Sequence, residues 1–217
     1  MFKQDDPENS LADYLSAVDH FKAGEADATV KDLVAAAGKA QFNDYGRDRK
    51  QTDEEAYLAA GYPPGEAKMM GNMFLIEPHM VQFRELGKSL IAMADSYRRS
   101  GDEDSRQNAV QMAVDLGRRL GDPAPEVPLV NQLVGISIER ATLAVLDPAS
   151  PYGTTGQTVQ ERLDQLVQRK ETIHVISAQA DPLWEKLTDQ DWISYHDQVA
   201  AIGEEAALRW MVSHAGH

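Results

Sequence analysis

Glu171 and His174 stand three residues apart in the segment QRKETIHVIS. Glu-x-x-His on one helix face is the spacing with which di-iron four-helix proteins bring a carboxylate and an imidazole onto one metal. Such a centre needs two of these motifs and two further carboxylates on other helices, and the chain carries one motif. His174 keeps helical spacing with Leu163 and Val167, so a histidine in the core or at its edge is expected, with no metal and no cofactor. Glu77 and His79 flank Pro78 at a helix start, where a carboxylate favours the positive end of the helix dipole and the imidazole is half exposed. His196 adjoins the seam of the last helix, and His214 and His217 belong to the terminal tail.

The basic side chains form a second set. Arg84 and Lys88 are one helical turn apart, and Arg98, Arg99, Arg118 and Arg119 gather at helix ends, where cations complement the dipole. Arg140 lies in the most apolar helix, on the side of Leu133 and Ile136. It is expected to snorkel to the surface or to pair with a carboxylate of a neighbouring helix; the alternative is contact with an anion in a groove. Motifs for nucleophilic or phosphate chemistry are missing: no Gly-x-Ser-x-Gly elbow, no Gly-rich loop after a strand, no His-Glu-x-x-His. The acidic pairs Glu54-Glu55 and Glu204-Glu205 read as solvated faces. The expectation therefore leans away from an enzyme.

The bulk composition narrows the partners. The 217 residues include 35 acidic and 21 basic ones, a net charge of −14, which opposes contact with nucleic-acid phosphates or an anionic membrane. A hydrophobic share of 42% argues for a folded chain with a core. The absence of cysteine removes disulfides, thiolate metal sites and a cysteine nucleophile. The stretch MFKQDDPENS has no basic region followed by an apolar one, so a cytoplasmic protein is expected, with an exported mature chain as the alternative.

The elements that position these residues are helices. Val127–Leu146, VPLVNQLVGISIERATLAVL, is the most apolar helix-length run and is bounded by proline-rich stops. Glu139 and Arg140 lie inside it, where charges are costly in lipid, so it is read as a buried central helix with no membrane span. At about 100° per residue, Asn131, Gln132, Glu139 and Thr142 form one narrow polar stripe. That stripe, marked by Asn131, is expected to face a groove or solvent.

Before this run, helical spacing predicts helices from Ser10 to Gly24, from Asp27 to Lys39 with Val30, Leu33, Val34 and Ala37 inward, and from Pro64 to Phe74. Longer helices follow over 78–100 and 103–120. Thr52 with Glu55, and Thr158 with Glu161, have the spacing of capping boxes. The helix after Thr158 should break near Pro182, and a last helix with the seam Trp192, Tyr195, Val199, Ile202, Ala206 and Trp210 should run on from Asp189. Alternating strand patterns are absent. The expected fold is all-α: eight or nine helices in antiparallel pairs, in a single domain over 1–217, with a possible subdomain boundary in the loop 147–157.

Residues 6–39 resemble one tetratricopeptide unit: Ala17 at the small position of the first helix, His20 beside it, Gly24 in the turn, and Thr29, Leu33 and Ala36 inside the second helix. A weaker copy over 80–120 matches at Ala94, Tyr97, Gly101, Ala109 and Ala113, but departs from the strict period and lacks the terminal proline. The good match covers about one sixth of the chain, judged against repeats of this length. The chain as a whole is similar to uncharacterised bacterial helical-repeat proteins, which supply no activity. The resemblance implies a helical solenoid that binds a protein or peptide, with Arg84, Lys88 and Asn131 as inner-helix groups able to hold a peptide carboxylate. The alternatives are a small-ligand site beside the central helix and, third, an enzyme with an unrecognised site.

Overall fold

Gly24 and Gly101 follow the first helices of two hairpins with left-handed backbone, φ 76° and 77°, and so allow the chain to turn back at once into a second helix. The computed structural model describes residues 2–73, 78–125, 127–154 and 156–214. The ends expected at Phe74 and the side chains of Glu77 and His217 lie outside them. Eleven α-helices are present among the described residues: α1 (Phe2–Asp5), α2 (Leu11–Lys22), α3 (Ala26–Ala37), α4 (Gly46–Ala59), α5 (Pro64–Met73), α6 (Pro78–Ser100), α7 (Glu103–Leu120), α8 (Leu129–Leu143), α9 (Val159–Ala180), α10 (Asp189–Ile202) and α11 (Glu204–His214). The fold is all-α. Among the described residues the β-structure is a two-residue antiparallel pair, Pro151–Tyr152 (β1) against Gln157–Thr158 (β2), with Pro151 opposite Thr158, and an isolated bridge between Asn9 and Gln41. No helix is long and apolar enough to cross a membrane among the described residues.

Contacts divide the chain into two compact units. The first is Met1–Asp44, Glu77–Asp122 and Asn131–Leu166; the second is Tyr45–Ile76, Pro123–Val130 and Val167–His217. The loop 147–157 lies within the first.

In the first unit, α2 pairs with α3 and α6 with α7, and α2 lies against α6 while α3 lies against α7. Equivalent helices of the two hairpins are thus neighbours. Small residues sit fully buried in both pairs, Ala17 and Ala36 in one and Ala109 and Ala113 in the other, which lets the helices approach. Tyr14, Phe42 and Phe83 meet edge to face at 5.9–6.4 Å. The inner face of α3 is Thr29, Leu33 and Ala36, the three that the tetratricopeptide resemblance puts inside; of the set expected from spacing, Val30, Leu33, Val34 and Ala37, only Leu33 is buried, and Val34 is 59% exposed. Thr29 can be buried because its hydroxyl donates to the Glu25 carbonyl at 2.9 Å.

The α7–α8 crossing is made of glycine. A Cβ on Gly135 would collide with the Gly121 amide nitrogen and lie 2.5 Å from the Gly117 carbonyl oxygen. One on Gly117 would lie 2.8 Å from the Glu139 nitrogen. This close approach turns the polar stripe of α8 inward: Asn131, Gln132, Glu139 and Thr142 are all buried, and Val130 is 51% exposed. The expectation that the stripe faces a groove or solvent is reversed, because each helix finds its closest packing where backbones rather than large side chains meet.

In the second unit α4 pairs with α5, α10 with α11, and α5 with α10. α4 starts at Gly46, so Thr52 sits inside a helix and its hydroxyl donates to the Asp48 carbonyl at 2.8 Å rather than capping a helix start. The expected single last helix is two. Gly203, at φ 87°, separates α10 from α11, and a Cβ there would lie 2.6 Å from the Pro125 carbonyl oxygen. The capping box at Thr158 and Glu161 forms as expected, and α9 gives way to a 3₁₀ turn, Asp181–Lys186, at Pro182.

Candidate functional site

Arg84 and Lys88 are exposed on α6, and Lys88 donates to Glu85 at 2.7 Å. Arg140 on α8 is half-buried; its Nε is buried without a hydrogen-bond partner and it makes no ion pair among the described residues. No acid holds it among the described residues, and the buried carboxylate of this helix is its neighbour Glu139. Glu171 and His174 are both exposed on α9, so His174 is no core histidine. No group of three His, Asp or Glu side chains is disposed to hold a metal ion among the described residues.

The inward stripe of α8 supplies two polar clusters within the first unit. Asn131 Nδ2 donates to Asp44 Oδ2 at 3.0 Å, and His79 Nε2 lies 3.8 Å from the same oxygen. Asn131 Oδ1 and His79 Nε2 are buried without hydrogen-bond partners. About two turns further along the helix, Glu139 is held by Arg162, Nε to Oε1 at 2.8 Å and Nη2 to Oε2 at 2.9 Å, and accepts the Tyr152 hydroxyl. The Arg162 guanidinium lies 5.8 Å from the Tyr152 ring centroid. Burial, and then the Glu139 carboxylate, push the Tyr152 hydroxyl up to about 12, so it is a donor and not a nucleophile. Thr142 closes the stripe by donating to the Ile138 carbonyl at 2.9 Å. This second cluster is satisfied internally and ties β1 and the start of α9 to α8.

The second unit carries a ladder of rings. Trp184, in the 3₁₀ turn, stacks on Trp192 of α10 at 5.2 Å with planes 24° apart, and Trp192 stacks on His196 at 5.7 Å and 21°. Tyr195 meets Trp184 edge to face at 5.0 Å and is buried, whereas both tryptophans are half-buried. The turn and helix are fixed by a capping box in which Asp191 accepts from the Thr188 amide at 2.9 Å and Thr188 Oγ1 from the Asp191 amide at 3.3 Å. Burial, with Lys50 and Lys68 adding to it, holds the His196 imidazole down at about 4, so it is neutral. Sequence periodicity places Trp192 in a seam and misses Trp184, which lies outside the α-helices, in the 3₁₀ turn. The available signal was two tryptophans eight residues apart among carboxylates.

No protein-family profile matches the chain, and neither a curated protein nor a solved structure matches it. The geometry alone therefore has to carry the functional reading. Neither polar cluster of the first unit presents a nucleophile beside a base among the described residues.

Proposed function

We propose that the chain is a non-catalytic helical-repeat scaffold, of degenerate tetratricopeptide-like build, that presents its helices to a protein or peptide in the cytoplasm. The observation that carries this reading is the packing of α2 on α6 and α3 on α7, first helix on first and second on second. Stacked hairpins of this kind gain stability from nearest neighbours and leave a long helical surface for recognition. Arg84 and Lys88, exposed on a first helix, remain the groups proposed to meet a partner's carboxylate.

The test is reconstitution. A protein that co-purifies with the tagged chain in its own host should re-form a one-to-one complex from purified components, with micromolar or tighter affinity. The reading fails if no such complex re-forms and a metabolite instead binds saturably.

A second reading, a small polar ligand, has one observation in its favour: the unpartnered buried Asn131 Oδ1 and His79 Nε2 beside Asp44. A saturable metabolite whose affinity falls in Asn131→Ala would favour it over the scaffold.

A further inference from the structure

We propose that the Trp184–Trp192 surface of the second unit docks a basic segment of the partner, with arginine or lysine side chains laid against the indoles. The proposal rests on the scaffold reading and adds the partner's chemistry to it.

Tyr195 beside them is buried, whereas Trp184 and Trp192 each keep part of the indole at the surface. The two are already stacked, so they form a pre-ordered aromatic surface that loses little freedom on binding. Indole is the aromatic side chain that attracts cations best.

Charge selects the occupant. From Asp181 to Asp197 there are five carboxylates and one cation, Lys186. Asp191 is committed to the Thr188 cap and Asp197 to Lys68 at 2.5 Å. Asp181, Glu185 and Asp189 are exposed and make no ion pair or hydrogen bond among the described residues. They flank Trp184 and precede Trp192 in the chain. The cations Lys50 and Lys68 act on His196, the other end of the ladder. The negative field is therefore at the Trp184 end, where it repels an acidic peptide or nucleic acid and steers in a cationic one.

The experiment titrates the full chain with a short peptide of alternating Arg and Gly, and with its Gln-for-Arg counterpart, following tryptophan fluorescence. The Arg peptide should bind saturably, and binding should weaken between about 0.05 and 0.5 M salt. The Asp181→Asn/Glu185→Gln/Asp189→Asn variant should lose about tenfold in affinity. A variant of equal charge, Glu8→Gln/Asp27→Asn/Asp104→Asn, alters exposed carboxylates of the first unit and should lose nothing. Trp184→Leu, with its helical circular dichroism intact, should also weaken binding. The proposal is overturned if the Arg peptide fails to bind, if the Gln peptide binds as well, or if both charge variants lose affinity equally. A reconstituted partner that holds equally to the Asp181, Glu185 and Asp189 variant would sink this docking site and leave the scaffold standing. Failure of any partner to reconstitute would sink the scaffold itself.

Discussion

Arg162 grips Glu139 with two parallel hydrogen bonds, 2.8 and 2.9 Å, across 23 residues of sequence, and Glu139 is only 1% exposed. Removing one partner of such a pair strands a desolvated charge, which costs far more than the pair's net worth. Arg162→Ala should lower stability by about 3 kcal/mol in urea denaturation. The double variant Arg162→Ala/Glu139→Gln should recover part of that loss. Equal destabilisation in the single and double variants would refute the stranded-charge account.

Gly135 and Gly87 separate backbone collision from side-chain crowding. A methyl on Gly135 meets the Gly121 and Gly117 backbone, which can yield only by parting α7 from α8. A methyl on Gly87 meets Ile138 Cγ2 at 2.8 Å and Cγ1 at 2.9 Å, side-chain atoms of a stiff, buried β-branched residue that can yield only by small shifts. Gly135→Ala should cost upward of about 3 kcal/mol and Gly87→Ala about 1–2 kcal/mol, since side-chain overpacking costs less than a backbone collision. Comparable denaturation midpoints for the two variants would contradict this.

His196 should make stability pH-dependent in a defined window. Its folded value, about 4, lies below the ordinary 6.5 because of burial. As pH falls below 6.5 the unfolded chain takes up the proton first, so stability is complete above that value and is lost between it and about 4. The loss should be on the order of 2 kcal/mol. His196→Phe, which keeps a ring against Trp192, should show a shallower decline in urea midpoint over the same window. Parallel declines would exclude His196 as the cause.

Two threonines with the same sequence signature should behave oppositely. Thr158 accepts the Glu161 amide at 3.2 Å while Glu161 takes the Thr158 amide at 2.8 Å, so Thr158→Ala should cost about 1 kcal/mol. Thr52 bonds back to Asp48 inside α4, where alanine is the better helix former, so Thr52→Ala should be neutral or stabilise by a few tenths of a kcal/mol. Thermal midpoints of the two variants decide it.

Helix positions were readable because apolar spacing, Gly24, Gly101 and the proline stops are local signals. Which side of a helix faces inward was not always readable. In α3 two overlapping sets compete on apolar spacing alone, and the one containing Thr29, which only the repeat resemblance puts inside, is buried because a carbonyl one turn back satisfies its hydroxyl. In α8 the amphipathic rule points the polar stripe outward, but the partners that allow its burial, Asp44 and Arg162, come from distant segments. The ring ladder was illegible for a related reason. Trp184 sits in a 3₁₀ turn, so no period links it to Trp192 and His196.

Both units are assembled from three separated stretches, laid alternately along the chain. Each unit thus closes around segments that the other interrupts. No single cut can release the two whole, because every position falls within the span of one or the other. During synthesis neither unit is complete until translation has passed Leu166, and the second waits for the final helices.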